Sequence, residues 1–366
     1  MKLAILSPNA FENAETFIKN HIEHLPFEIV LIHGGGLPCH IDGIQPNKWN
    51  VWRYKISVAL KKILRQPITT FQEVQLTSLL KKERVEMVFA EYLHVGAEAV
   101  SVCEQLNIPM VAIALGYEIS RYNMLDKYKI KYKHLFEYAE HIVVVSEHMK
   151  ANIFDIGCDA NKVIYSPASP SKDFFQVVPH FTSQQIVAVG RFVDKKAPHI
   201  TLLAFEKVLQ QVPNAQLVMA GDGPLWPACK DLARVLQIDH AVRFVGRITP
   251  KEHRNLLQES IAFVQHSKVA ENGDSEGTPV AILEASASGL PIVSTQHAGI
   301  PYIVQDNGTG FLVAENDAEA MAENMLTLLT NTILAKEMGQ RGRRYVAEHF
   351  TLEQHIETLT GLLNRK

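Results

Sequence analysis

Short apolar runs rich in β-branched residues recur along the chain, and stretches with helical spacing separate them. In the first half the runs read KLAILS, FEIVLI, EMVFA, MVAIAL, HIVVVS and KVIYS; in the second they read QIVAVG, AQLVMAG, VRFVG, IAFVQ and PIVST. A brief, wholly apolar run between turn residues suits a strand buried on both faces, and strands alternating with helices predict parallel sheets covered by helices. Helices are expected over Ala14 to Leu25, from about Trp49 to Lys82 with a break at Pro67, and as three consecutive segments from Asp317 to Leu363, Asp317 capping the first. Between the two series, SPASPSKDFFQVVPHFTSQ is rich in Pro and Ser and has no period. The pattern predicts an α/β protein of two Rossmann-like, doubly wound parallel-sheet domains facing a cleft. The expected boundaries are 1–170 and 185–350, with a linker at 171–184 and a C-terminal helix at 351–366 that packs back on the first domain.

A length of 366 residues exceeds what one hydrophobic core usually serves, which agrees with two domains. With 47% hydrophobic and 20% charged residues the chain is an ordinary globular protein, not a disordered one. Its 36 basic and 39 acidic residues give a net charge of -3, so no overall bias toward nucleic acid exists. Cys39, Cys103, Cys158 and Cys229 form neither a CxxC pair nor a metal-ligand spacing and suit a reducing cytosol. No run reaches the roughly 18 apolar residues of a spanning helix, and MKLAILSPNAF reads as a first strand, so a cytoplasmic protein is expected.

One local patch qualifies that expectation. Residues 48–65, KWNVWRYKISVALKKILR, hold six basic residues and no acidic one, with Trp49, Trp52, Ile56, Leu60 and Ile63 in a helical stripe. Such a helix can rest on an anionic membrane surface or pack on a core with its lysines solvated. Resting on lipid, this helix implies a peripheral position on the inner face of a membrane; Lys127, Lys129, Lys131 and Lys133 form a second basic string that can join it around the acceptor cleft, and together they point to a lipid-linked acceptor.

Ligands of open parallel sheets bind beyond the carboxyl ends of the strands, where helix N-termini offer free N–H groups. Among these turns, Glu276-Gly277-Thr278-Pro279, running on to Glu284, stands out. Pro279 suits a first helical turn, Gly277 admits a close backbone approach, and the two carboxylates can both address hydroxyls of one ligand. Acidic residues near a helix start can also do no more than complement its dipole.

The segment from Ala270 to Pro279, with Glu284 to Thr295, Ala298-Gly299-Ile300-Pro301 and Gly308 to Val313, resembles the EX7E signature of the family 4 retaining glycosyltransferases. The resemblance implies the GT-B fold and an exopolysaccharide or lipopolysaccharide type of enzyme. It implies that Glu276 contacts the donor sugar, Glu284 the ribose, and Gly277, Thr278 and Pro279 the sugar and diphosphate. Arg191 and Lys196, after Gly190, match the family's cationic pair, so Arg191, Lys196 and Glu276 are the expected catalytic residues. Gly246-Arg247-Ile248 matches the strand end that meets the base, while Ala220 to Leu225 is a recurrent glycine-rich turn and a weak dinucleotide fingerprint alone. The expected substrate is a UDP- or GDP-sugar, the acceptor a glycan or lipid-linked molecule, with no cofactor and no metal required; the sequence holds no DxD-like motif after a strand.

The first domain follows the family less closely. Glu15 and Thr16, in Glu15-Thr16-Phe17-Ile18, resemble an exopolysaccharide-type variant, without the double glycine many relatives have there. Where relatives often read His-Gly-Tyr-Asp, this chain has Leu115-Gly116-Tyr117-Glu118, so His94 and Glu118 become candidates on the acceptor side. Leu115 also leaves open a catalytically silent nucleotide-sugar-binding subunit, and an epimerase or phosphorylase of the same architecture is a third reading.

Overall fold

The computed structural model describes residues 1–13, 16–42 and 70–364. Six strands, β1 (Lys2–Ser7), β2 (Glu28–His33), β3 (Met87–Glu91), β4 (Met110–Ala114), β5 (His141–Val144) and β6 (Val163–Tyr165), form one parallel sheet in the order β2-β1-β3-β4-β5-β6. A second parallel sheet holds β7 (Gln185–Val189), β8 (Gln216–Ala220), β9 (Val242–Gly246), β10 (Ala262–Val264), β11 (Ile292–Thr295) and β12 (Gly310–Val313) in the order β12-β11-β10-β7-β8-β9. Each apolar run of the sequence lies in a strand. Strand β12 is an addition to the expected strands, since in the sequence Gly308 to Val313 stands out only as part of a motif. Its first residue must be glycine, because a Cβ on Gly310 would lie 2.3 Å from the Ile292 carbonyl oxygen of β11.

The strand orders fix where a ligand can sit. In each sheet the chain winds one way and then reverses, between β1 and β3 in the first and between β7 and β10 in the second. At such a reversal the loops leaving neighbouring strands diverge and open a crevice at their carboxyl ends. The crevice of the second sheet receives the loops after β7 and β10, which carry Arg191, Lys196 and Glu276.

The helix behind Glu276 spans Val280–Ala287, and Pro279, at φ -71° and ψ 103°, is its N-cap rather than its first helical residue. The extended ψ turns the chain at Pro279, so the helix begins one residue later than expected. Asp317 caps Ala318–Thr330 by accepting the Ala320 N–H, and two further helices follow, Thr332–His349 and Leu352–Leu363. The last one lies on the first domain, where Leu359 and Leu363 are buried in its core. The aperiodic segment near residue 175 is packed as well: Phe174 and Val177 are buried against the second domain.

A buried chain of polar groups holds the last helix. His21 Nδ1 lies 2.6 Å from Glu91 Oε1, His21 Nε2 lies 2.8 Å from His355 Nε2, and His355 Nδ1 lies 2.7 Å from Ser166 Oγ. With one proton per imidazole, Ser166 donates to His355, His355 to His21 and His21 to Glu91, so each contact is satisfied without a charged ring. Burial pulls the His355 pKa down to about 3, which keeps that ring neutral.

Candidate active site

The loop after β7 is shaped by glycines of its neighbour. A Cβ on Gly221 would stand 1.9 Å from the Gly190 carbonyl oxygen, and one on Gly223 would stand 2.5 Å from that of Phe192. Phe192 N–H donates to Asp222 O at 2.7 Å and Leu225 N–H to Phe192 O at 3.0 Å. The glycine-rich turn thus packs against the Arg191 loop, which accounts for its glycines without a dinucleotide.

Beyond Gly190, Arg191 is exposed and Lys196 is half-buried. Lys196 Nζ lies 3.2 Å from Glu276 Oε1 and donates to Gln265 Oε1 at 3.1 Å. Burial pulls the Lys196 pKa down, and the Glu276 carboxylate opposes that pull. Burial works against ionisation of Glu276 too, yet Lys196 and Lys195 hold its carboxyl below the usual range. Glu276 is thus held ionised by the lysines, and its carboxylate in turn favours the charged form of Lys196.

Glu284 is in a different state. Burial, with no cation to offset it, pushes its pKa up to about 8, and its nearest charged-capable neighbour is His253, whose Nδ1 is 3.4 Å from Oε2. A carboxyl in that condition donates a hydrogen bond near neutral pH.

Glu276 sits in a loop without ladder partners, and its N–H donates to His297 Nε2 at 3.1 Å. His297 Nδ1 is 2.6 Å from Glu315 Oε1. The next residue, Gly277, packs between Leu115 O and Met149 Sδ of the first domain, each 3.1 Å from where its Cβ would be. Thr278 Oγ1 donates to Val145 O, also in the first domain.

A charged bridge joins the domains beside this contact. Arg121 donates through Nε and Nη2 to Asp274 Oδ2, at 3.0 and 2.7 Å, and Lys195 Nζ donates to Asp274 Oδ1 at 3.0 Å and to Ser275 O at 2.9 Å. The walls enclose a cavity of about 540 Å³ lined by Phe17, Tyr92, Leu115, Tyr117 and Arg121 of the first domain and by Arg191, Lys195, Lys196, Glu276, Gly277, Thr278, Pro279 and Val280 of the second.

Arg191, Lys196, Glu276, Gly277, Thr278 and Pro279 are thus brought together, whereas Glu284 lies outside this lining. Gly246, at φ 73°, accepts the Gly221 N–H through its carbonyl at 2.7 Å, and Ile248 packs against the second domain's core. Arg247 points outward and pairs with Asp222 at 2.5 Å. On the acceptor side, Glu118 is fully buried and accepts the Leu115 N–H at 2.6 Å; burial raises its pKa to about 7. It closes its own turn and does not line the cavity. His94 is buried among the rings of Tyr92, Tyr117 and Tyr128, and burial, aided by Lys127, lowers its pKa to about 4. Thr16 is exposed at the start of the helix Thr16–His24. Glu15 and residues 48–65 lie outside the described residues.

The reading missed Arg121, Lys195, Asp274, His297 and Glu315. Lys195 and Asp274 stand inside motifs already singled out, and His297 directly precedes Ala298-Gly299; nothing local distinguishes a residue whose partner is distant along the chain. Among the described residues, no group of three His, Cys, Asp or Glu is gathered to hold a metal, and no helix is long and apolar enough to cross a membrane.

Residues 171–345 match the family model of the "Glycosyl transferases group 1". The matched stretch spans most of the C-terminal domain. The "Putative colanic acid biosynthesis glycosyltransferase WcaL" of Escherichia coli (strain K12) is 29% identical over 252 residues, 68% of this chain and 62% of that protein. The "Amylovoran biosynthesis glycosyltransferase AmsK" of Erwinia amylovora is 31% identical over 221 residues, 60% of this chain and 54% of that protein. The chain thus spans less than two thirds of the length of these relatives. Among solved structures, Anabaena Alr3699/HepE in complex with UDP and glucose superposes with a TM-score of 0.75 at 14% identity, covering 99% of each chain. Sucrose-phosphate synthase from Thermosynechococcus elongatus gives 0.75 at 16% identity, covering 99% of this chain and 98% of that one. With two parallel six-stranded sheets facing a cleft, the fold is GT-B.

Proposed function

We propose that this protein is a retaining, metal-independent glycosyltransferase that moves a sugar from a nucleotide-diphosphate sugar to a glycan or lipid-linked acceptor of surface polysaccharide synthesis. The observation that carries the reading is the Lys196–Glu276 ion pair beside Arg191, at the reversal of the second sheet and inside the family-matched domain. The relatives named for colanic acid and amylovoran biosynthesis support the polysaccharide assignment, and none of the named relatives favours an epimerase or a silent subunit.

In this reading the second domain binds the donor and the first presents the acceptor. Arg191 and Lys196 hold the diphosphate and stabilise the charge it gains as its bond to the sugar breaks. Glu276 accepts hydrogen bonds from sugar hydroxyls, with the Gly277-Thr278-Pro279 backbone against the sugar. Gly190 lets the chain approach the diphosphate, Gly246, Arg247 and Ile248 meet the base, and Glu284 meets the ribose. The acceptor hydroxyl oxygen bonds to the anomeric carbon on the face the nucleoside diphosphate leaves, and its proton passes to an oxygen of the departing phosphate. That route retains configuration and needs no protein nucleophile, consistent with Leu115 at the cavity wall. Glu15, Thr16, His94 and Glu118 are assigned to the acceptor side, His94 and Glu118 through the shape of the wall. The basic composition of residues 48–65 supports a peripheral position on the inner face of an anionic membrane, and the lysines of the helix Tyr122–Tyr138 support a lipid-linked acceptor.

A panel of UDP- and GDP-sugars tests the reading. One donor should raise thermal stability and be turned over with retained anomeric configuration in the presence of a chelator. Inverted product or loss of activity to the chelator overturns those two features, and no binding or turnover with any donor overturns the whole.

A further inference from the structure

The loop from Ala270 to Pro279 is irregular, so its N–H groups have no helix or sheet to satisfy them, and its orientation depends on individual partners. For Glu276 that partner is a side chain. Its N–H donates to His297 Nε2 at 3.1 Å, so Nε2 must carry no proton. His297 Nδ1, 2.6 Å from Glu315 Oε1, is then the protonated nitrogen and donates to the carboxylate. The ring is buried to 1% exposure, while Glu315 remains 31% exposed. Gly299, two residues beyond His297, passes so close to this loop that a Cβ on it would stand 1.9 Å from Gly277 O. The turn after β11 thus supports Glu276 and Gly277 from behind while Lys196 holds the Glu276 carboxylate from the front.

We propose that Glu315 and His297 form a positioning dyad: Glu315 fixes the ring and tautomer of His297, and His297 fixes the backbone of Glu276 and with it the donor-sugar wall. The proposal rests on the glycosyltransferase reading. A carboxylate behind a histidine is an effective way to choose which ring nitrogen is free, because it accepts from one nitrogen and leaves the other as an acceptor. Neither residue touches the reacting atoms; their effect passes through Glu276.

The experiment pairs kinetics with a spectrum of the imidazoles. His297→Leu, which has no acceptor, should lower kcat roughly tenfold to a hundredfold, the scale of misplacing a reacting group, with a smaller rise in donor KM. His297→Gln, which offers an amide oxygen, should recover most of that loss. Glu315→Leu should have a smaller effect, and His297→Leu with Glu315→Leu should be no worse than His297→Leu alone, as expected for residues acting in series. In 15N spectra of the protein, the imidazole signal lost in His297→Gln should be the Nδ1–H tautomer, and Glu315→Leu should disturb it. Wild-type rates in His297→Leu, no recovery in His297→Gln, or an Nε2–H ring in the wild type would overturn the dyad. Should the wild type turn over no nucleotide sugar, the transferase reading falls, while the tautomer spectrum still decides the dyad.

Discussion

The two walls of the cavity are built by different means. The wall from the second domain is built on ion pairs: Lys196 and Lys195 hold Glu276 ionised, and Lys195 with Asp274 extends the pattern. The opposite wall, formed by Phe17, Tyr92, Leu115 and Tyr117, is apolar and aromatic apart from Arg121, and the acid beside it, Glu118, turns inward to accept the Leu115 N–H. A wall of mutually dependent charges tolerates little change in residue type, since removing one partner leaves a buried charge uncompensated. A wall shaped by backbone and rings leaves its residues freer to vary.

The largest effects should follow from breaking the charged wall. Glu276→Ala and Lys196→Ala should each lower transfer by about two to three orders of magnitude, the scale of losing a preorganised charge at the transition state; steady-state kinetics on the preferred donor would check this. Parallel replacements of Leu115 should change acceptor preference more than donor turnover, and equal losses on both walls would erase the contrast.

A smaller effect concerns the bridge between the walls. Asp274→Ala leaves Lys195 buried without its carboxylate and should cost about 3 kcal/mol in denaturant unfolding. Arg121→Ala leaves Asp274 still paired with Lys195. Since Arg121 is about a third exposed, it should cost no more than about 1 kcal/mol. Equal losses would mean that the two cations do not share the carboxylate as their geometry indicates.

Two further effects show only in the dependence of stability on pH. The unliganded folded state binds a proton at Glu284 up to pH about 8, whereas the unfolded chain loses it near 4.5. Native protein therefore binds more protons across that window, and Glu284 makes stability fall as pH rises through it. Subtracting the Glu284→Gln profile from that of the wild type should isolate this decline, and a flat difference would place a cation near Glu284. His355 works in the opposite sense. Its folded pKa of about 3 lies below the unfolded 6.5, so the unfolded state binds more protons and stability is lost as pH falls through that window. His355→Asn should weaken the acid dependence, and hydrogen exchange should show the helix Leu352–Leu363 opening before the first sheet.

Much of this molecule was legible in the order of its residues. Apolar runs located the strands, because a strand covered on both faces must be apolar along its length. Asp317 marked a helix start through its capping chemistry, and the motifs around Arg191, Lys196 and Glu276 singled out three residues that the fold brings to one cavity. Strand β12 escaped notice because a four-residue run beginning with glycine carries little period. What only the tertiary structure decided were partnerships and states of ionisation. Arg121 meets Asp274 across 153 positions of chain, and His21 meets His355 across 334. Glu276 and Glu284 have the same side chain eight residues apart, yet a nearby lysine keeps the first charged and its lack lets burial neutralise the second. Composition and spacing set which elements form and which residues reach the cleft. Charge and orientation there depend on neighbours brought by the fold, since desolvation and Coulomb interactions act through space and not along the chain.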